Sequence, residues 1–222
     1  MIDWKKMVIS IVMLGIGTAF AFARGRPEKG NGEMTSREHR VPAFERVHAG
    51  SNVDVRIYRA EEARVVVSAD SNLHEFIEIR HDSKHNAVEI RTPGREKNFP
   101  RFTVDVYCPS LTGIGLAGTA SIECADPVIT ETLNADMAGS GAIILRGNAE
   151  RVEINLVGDG TIDGKEFKTA RIDAHVVGDG KMTVWTDALT VNVVGNATVS
   201  YRGNPVLDIV GVGNGRFVRT GD

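Results

Sequence analysis

A short phrase recurs six times between Leu111 and Asp222, and it constrains the fold more than anything else in the chain. Alternating apolar residues lead to a glycine. One variable residue follows, then a very small one, then an apolar residue two places on. The clearest copies are Ala117-Gly118-Thr119-Ala120-Ser121-Ile122, Ala138-Gly139-Ser140-Gly141-Ala142-Ile143, Val157-Gly158-Asp159-Gly160-Thr161-Ile162 and Val177-Gly178-Asp179-Gly180-Lys181-Met182. Weaker copies follow at Val194-Gly195-Asn196-Ala197-Thr198-Val199 and Val210-Gly211-Val212-Gly213. Aligned on Gly118, Gly139, Gly158, Gly178, Gly195 and Gly211, the spacings are 21, 19, 20, 17 and 16 residues.

The alignment produces columns of like residues. Two places before the glycine stand Leu116, Met137, Leu156, Val176, Val193 and Ile209, and four before stand Ile114, Ala135, Ile154, Ala174, Val191 and Leu207. Four places after it stand Ile122, Ile143, Ile162, Met182 and Val199, with Gly215 breaking the column. A period near 20 residues is too short for a helical hairpin and suits one coil of a β-solenoid. Coils stacked at about 4.8 Å put like residue on like residue, so apolar columns at alternate positions become one core. The glycines are then structural corners, where a residue without a Cβ can bend the chain. A hairpin meander would not demand a constant register. The expected fold is all-β: a single-domain β-solenoid, parallel β-helix-like, with about six short coils in the C-terminal half.

The first half of the chain repeats less regularly. Val53-Asp54-Val55-Arg56-Ile57-Tyr58, Ala87-Val88-Glu89-Ile90-Arg91 and Phe102-Thr103-Val104-Asp105-Val106-Tyr107 alternate with period two, as half-buried strands do. Ser71 to Glu78 hints at a short helical turn. Residues 41–110 are therefore expected to be an irregular strand-rich part of one domain spanning 41–222, with the glycine-ladder coils at 111–222. Residues 24–40, polar and charged, are expected to be a flexible linker. Lys5, Lys6, the apolar run Met7 to Phe22 and the triplet Ala21-Phe22-Ala23 read as a signal peptide over residues 1–23. An uncleaved membrane anchor is the competing reading. Removing that segment leaves a net charge of −4, which offers nucleic acid no electrostatic attraction.

The ordered set Phe44-Glu45-Arg46-Val47, Val53-Asp54-Val55, Asp70-Ser71-Asn72-Leu73, Val106-Tyr107-Cys108-Pro109-Ser110-Leu111, the Gly-Ser/Asp-Gly repeats and Tyr201-Arg202-Gly203-Asn204-Pro205 resembles the head GIN domain family. That family carries the label of an autotransporter adhesin head. The resemblance spans about Val41 to Asp222. It implies a β-helix of short strands in an exported bacterial protein, and no particular chemistry.

Candidate chemistry lies on the outward columns. Three places before the glycine stand Gly115, Asp136, Asn155, His175, Asn192 and Asp208; five before come Gly113, Asn134, Glu153, Asp173, Thr190 and Val206. Together Asn134, Asp136, Glu153, Asn155, Asp173, His175, Asn192 and Asp208 would form one flat polar face suited to glycan or cation binding. A solvated sheet face has the same composition. Glu153 and Asp173, expected on adjacent rungs, have the pairing of a retaining glycosidase but no insertion to build a cleft around them. His175 has no second histidine aligned with it. Asp159 and Asp179 share a Gly-Asp-Gly corner without the spacing of a calcium repeat. No metal site and no cofactor site is expected. Cys108 and Cys124 are a candidate disulfide, because an offset of 16 also matches Val106 to Ile122; two buried free thiols are the competing reading.

The function expected is non-catalytic: a binding, structural or adhesin-like module, periplasmic or on the cell surface, acting through the outward polar face. A glycan or another envelope protein is the expected partner. Two alternatives stand beside this: a carbohydrate-active β-helix enzyme using the acidic residues, and a scaffold subunit that self-associates through the solenoid ends.

Overall fold

The computed structural model describes residues 29–93 and 99–221. The expected signal peptide lies outside the described residues. The strands before Pro109 are β1 (Met34–Arg40), β2 (Arg46–Ala49), β3 (Val53–Arg59), β4 (Arg64–Asp70), β5 (Glu78–Asp82), β6 (Ala87–Arg91) and β7 (Phe102–Cys108). A 3-10 turn at His74–Phe76 sits where the sequence suggests a helical turn. After Pro109 come β8 (Gly113–Gly118), β9 (Ser121–Cys124), β10 (Val128–Gly139), β11 (Ala142–Val157) and β12 (Thr161–Val177). The chain continues through β13 (Lys181–Gly195), β14 (Thr198–Arg202), β15 (Val206–Gly213) and β16 (Arg216–Arg219). The protein is an all-β solenoid.

From β8 onward each coil stacks parallel on its predecessor, in the register the columns require. Ala135 pairs with Ile154, Ile154 with Ala174 and Ala174 with Val191. After the corner, Ile122 pairs with Ile143, Ile143 with Ile162 and Ile162 with Met182. All of these side chains are buried and form one continuous core.

The corner glycines are required twice over. Gly118, Gly139, Gly158, Gly178 and Gly195 have φ between +87° and +131°, a region that L side chains avoid. A Cβ on Gly139, Gly158, Gly178 or Gly195 would also strike the carbonyl oxygen of the corner glycine one coil below. That oxygen accepts the backbone N–H of the next coil at Ser140, Asp159 and Asn196, at 3.0, 3.1 and 3.2 Å.

The last corner differs from the sequence expectation. Gly213, not Gly211, pairs with Gly195 and has φ +123°. Gly211 sits opposite Val193. The run Gly211-Val212-Gly213-Asn214-Gly215 offers more than one glycine for the bend, and the column after the corner chooses between them, since Phe217 and not Gly215 then follows Val199. With Gly213 at the corner, Leu207 continues the Leu189 column, Ile209 continues Val191, and Phe217 fills the column after Val199.

The first half is also more regular than its sequence suggests. β2 and β3 form a true coil beneath β8 and β9, with Val47 opposite Ile114, Ala49 opposite Leu116 and Val55 opposite Ile122. Ser51 stands at its corner, with φ +83°. β6 and β7 form a further coil on the other side of it, with Val88 opposite Val47 and Val104 opposite Val55. Stacking order and chain order thus differ at this end. β4 pairs antiparallel with β7, and β5 antiparallel with β6.

Two further expectations are corrected. Within the expected linker 24–40, Met34–Arg40 forms β1, antiparallel to β4. β1 is an exposed edge strand, so it carries polar residues where a buried strand would carry apolar ones. Cys108 and Cys124 are free and buried. β7 and β9 are not neighbours; β3 runs between them, with Arg59 opposite Cys108 and Ile57 opposite Cys124. The offset of 16 therefore does not place the thiols on adjacent rungs. Burial pushes the Cys108 thiol up to about 11 and the Cys124 thiol up to about 12, so both stay protonated and inert at neutral pH.

Candidate functional site

The face before the glycine corner carries the polar columns. Its pleat turns every second side chain outward. Asp136 pairs with Asn155, Asn155 with His175 and His175 with Asn192. Beside them, Asn134 pairs with Glu153, Glu153 with Asp173 and Asp173 with Thr190. Seven of the eight residues expected to form this face are therefore consecutive rung neighbours. Asp208 is the exception: the register of the last coil puts it opposite Thr190, in the neighbouring column, and Val210 opposite Asn192.

The ladder begins one coil earlier than expected, at His48. His48 pairs with Gly115 across β2 and β8, and Gly115 pairs with Asp136. A Cβ on Gly115 would lie 2.7 Å from Cδ2 of His48, so the glycine is the space into which the imidazole folds. Arg46 similarly covers Gly113, where a Cβ would lie 3.0 Å from its Cγ. His48 thus shares a column with His175. The signal was present in the sequence: Val47-His48-Ala49-Gly50-Ser51 has the apolar alternation of the repeat, with serine standing in for the corner glycine.

The electrostatics of the face are those of a paired surface. Asn155, buried to 8 % exposure, donates through Nδ2 to Asp136 Oδ1 at 2.8 Å. Arg171 Nη2 and Nε donate to Asp173 Oδ1 and Oδ2 at 2.8 and 3.0 Å, and Arg151 Nε lies 4.0 Å from the same carboxylate. The Arg171 hydrogen bond holds Asp173 below the usual carboxylate range. An acid in that state accepts hydrogen bonds and has no proton to give, so the Glu153–Asp173 pair does not supply a general acid through Asp173. Burial pushes the His48 imidazole below its ordinary value against the opposing pull of Glu89 and Asp136, which favours its neutral form.

The face is open. The larger depression described lies elsewhere, with a volume of ≈ 50 Å³ between Tyr58, Pro109, Leu111 and Ile129. Small-molecule sites enclose several times that volume. Corner side chains form a second polar line, in which Asn196 Nδ2 donates to Asp179 Oδ1 at 2.9 Å and Asn214 Nδ2 to Asn196 Oδ1 at 3.4 Å. Among the described residues, no three His, Cys, Asp or Glu side chains converge as metal ligands would.

Residues 43–205 match the family model described as "putative auto-transporter adhesin, head GIN domain". The chain belongs to the head GIN domain family. That description is of an exported or surface protein. Solved structures share the fold of this head GIN domain. A "putative adhesin" from Bacteroides fragilis NCTC 9343 superposes with a TM-score of 0.69 at 17 % identity, over 86 % of this chain and 98 % of that one. A "putative adhesin" from Parabacteroides merdae ATCC 43184 gives 0.54 at 18 % identity over the same shares. One from Parabacteroides distasonis ATCC 8503 gives 0.52 at 21 % identity, again over the same shares. No curated protein matches the chain. Among the described residues, no helix of this head GIN domain is long and apolar enough to cross a membrane.

Proposed function

We propose that the protein is an exported, non-catalytic adhesin-like module that holds an extended polar partner, a glycan first among them, along the ladder on the pre-glycine face. One observation carries this reading. The run Asp136, Asn155, His175, Asn192, flanked by Asn134, Glu153 and Asp173 and headed by His48 across the Gly115 rung, is a line of donors and acceptors on one sheet face. Rungs stand about 4.8 Å apart, so from Asp136 to Asn192 the line repeats its hydrogen-bonding groups at a constant interval. A polymer with repeated hydroxyl groups can match such an interval over several units, each adding a modest contribution. Membership in a family described as an adhesin head supports a binding role. The export expected from residues 1–23 is consistent with action at the periplasm or cell surface.

A glycan array probed with the exported chain tests this. The variant Glu153→Ala/His175→Ala/Asn192→Ala removes three ladder groups and leaves the Asn155–Asp136 hydrogen bond intact. Loss of bound glycan by about tenfold or more is expected, since three hydrogen bonds of about 0.5–1.5 kcal/mol each are removed. Undiminished binding in the variant would reject the ladder as the contact surface.

A further inference from the structure

The two ends of the solenoid are built differently. At one end β4 and β5 fold back antiparallel on β7 and β6, and β1 lines the outside of β4. The exposed residues of β1 include Ser36, Arg37, Glu38 and Arg40, a charged edge of the kind that discourages further pairing. At the other end, β15 and β16 pair only with β13 and β14; among the described residues no strand lies beyond them.

Apolar exposure collects at that second end. Eight large apolar side chains are exposed among the described residues, and five of them lie in β15: Val206, Leu207, Ile209, Val210 and Val212. Val206 and Val212 are 77 % and 75 % exposed. Leu207 and Ile209 continue the core columns of Leu189 and Val191, yet are 40 % and 39 % exposed where their predecessors are 1 % and 0 %. The core therefore opens to solvent here, beside eight residues of unpaired strand edge.

We propose that a second copy of the chain covers this end, with β15 pairing antiparallel to its own counterpart about Ile209. An antiparallel pair has a two-fold axis perpendicular to the sheet, so core-facing residues meet core-facing residues. Ile209 meets Ile209 of the second copy. Leu207 meets Gly211, whose missing Cβ leaves room for the larger side chain. Val206 meets Val212 on the outward face, and Asp208 lies beside Val210 at the wet rim. The end of a coil measures about 25 Å along the strand by about 20 Å across two sheets with their side chains. Two such ends cover on the order of 1,000 Å², the lower bound for a specific interface. Head-to-tail stacking would instead set β15 against β5, at the far end of the same ladder and carrying Glu78, Arg80 and Asp82, and β16 against the charged β1, which favours the closed pair over an open fibre. The axis also leaves both pre-glycine faces on the same side of the dimer. The dimer itself does not depend on what that face binds.

Sedimentation of the full chain, purified from the soluble fraction, tests the arrangement. A monomer–dimer equilibrium is expected between about 1 µM and 1 mM, the range in which interfaces of this small size operate. Val206→Lys/Val212→Lys places like charges opposite one another across the pair, at the two most exposed apolar positions of β15, and is expected to remain monomeric, with a circular dichroism melt that matches wild type at concentrations too low for the pair to form. Val206→Cys/Val212→Cys is expected to link two chains on oxidation, because directly opposed Cβ atoms approach to roughly 4.5 Å, the upper edge of disulfide geometry. Val206→Cys alone is expected not to. A wild-type monomer throughout the range, a dimer that survives the lysines, linkage by Val206→Cys alone, or masses rising beyond two copies would each overturn the proposal.

Discussion

At the scale of single residues, the solenoid depends on what its corners lack. Gly158 has φ +117°, and a Cβ there would strike the carbonyl oxygen of Gly139. Gly158→Ala therefore adds backbone strain of about 1–2 kcal/mol to a clash with backbone that cannot retreat without parting two coils, for a total loss of about 2–4 kcal/mol. The midpoint of urea unfolding reads this directly. Gly32→Ala, also at positive φ but with nothing within 4 Å of the added carbon, is the control and is expected to cost clearly less. Ser51 poses the opposite question, since it occupies a corner at φ +83° with a side chain attached. Glycine would relieve about 1 kcal/mol of strain. But Ser51 Oγ accepts from Thr92 N at 3.1 Å and Thr92 Oγ1 at 2.7 Å, in a buried site. Leaving two buried donors unsatisfied costs about 1–3 kcal/mol each, so the hydrogen bonds win. Ser51→Gly is expected to lower stability by about 1 kcal/mol or more, and a stabilised variant would show that strain dominates this corner.

At the scale of strands and coils, legibility followed the columns. The coils from β8 to β13 could be read residue by residue because like residues recur at nearly constant offset, and stacking makes each apolar column bury itself. The reading failed where the offset was ambiguous or the order of stacking changed. Gly211 and Gly213 are equivalent by composition, and what separates them is that a corner at Gly213 brings the partly buried Phe217 into the column after Val199. The coil of β2 and β3 was hidden because serine holds its corner and because its neighbours in space, β6 and β8, are distant in sequence. His48 was missed with it, although it heads the polar ladder. Its burial predicts a pH effect. A histidine whose folded pKa is lowered binds fewer protons folded than unfolded, so stability is complete above the ordinary value near 6.5 and is lost as pH falls through it. His39 is shifted the same way, by burial first and then by His74 and Arg37. Thermal unfolding followed from pH 7.5 to pH 5 is expected to show a falling Tm, and His48→Gln a shallower fall. An identical pH slope in the variant would mean that His48 is free to protonate in the folded chain.

At the scale of the whole molecule, the solenoid is nearly one-dimensional. Each coil touches only the coil on either side, so its stability is the sum of its own term and two interfaces. Interior coils have both: β12 is buried between β11 and β13 along most of its length. The coil of β6 and β7 gains its second interface from the antiparallel strands β4 and β5. The coil of β15 and β16 has one, and every residue of β15 is exposed. Opening that coil exposes little apolar surface that is not already wet, so its local unfolding free energy lies near the bottom of the range. Amide hydrogen exchange in dilute solution is therefore expected to be fastest in Val206–Gly213 and Arg216–Arg219, slower in β13 and slowest in β11 and β12. The charged end at β1 should exchange early as well, being an edge, while β7 beneath β4 stays protected. Raising the protein concentration gives the gradient a second use. If two copies close over β15, its amides gain protection with concentration while those of β1 do not, and that asymmetry separates pairing at one end from a general effect of crowding. Equal behaviour at the two ends would mean that the apolar edge, like the charged one, stays in water.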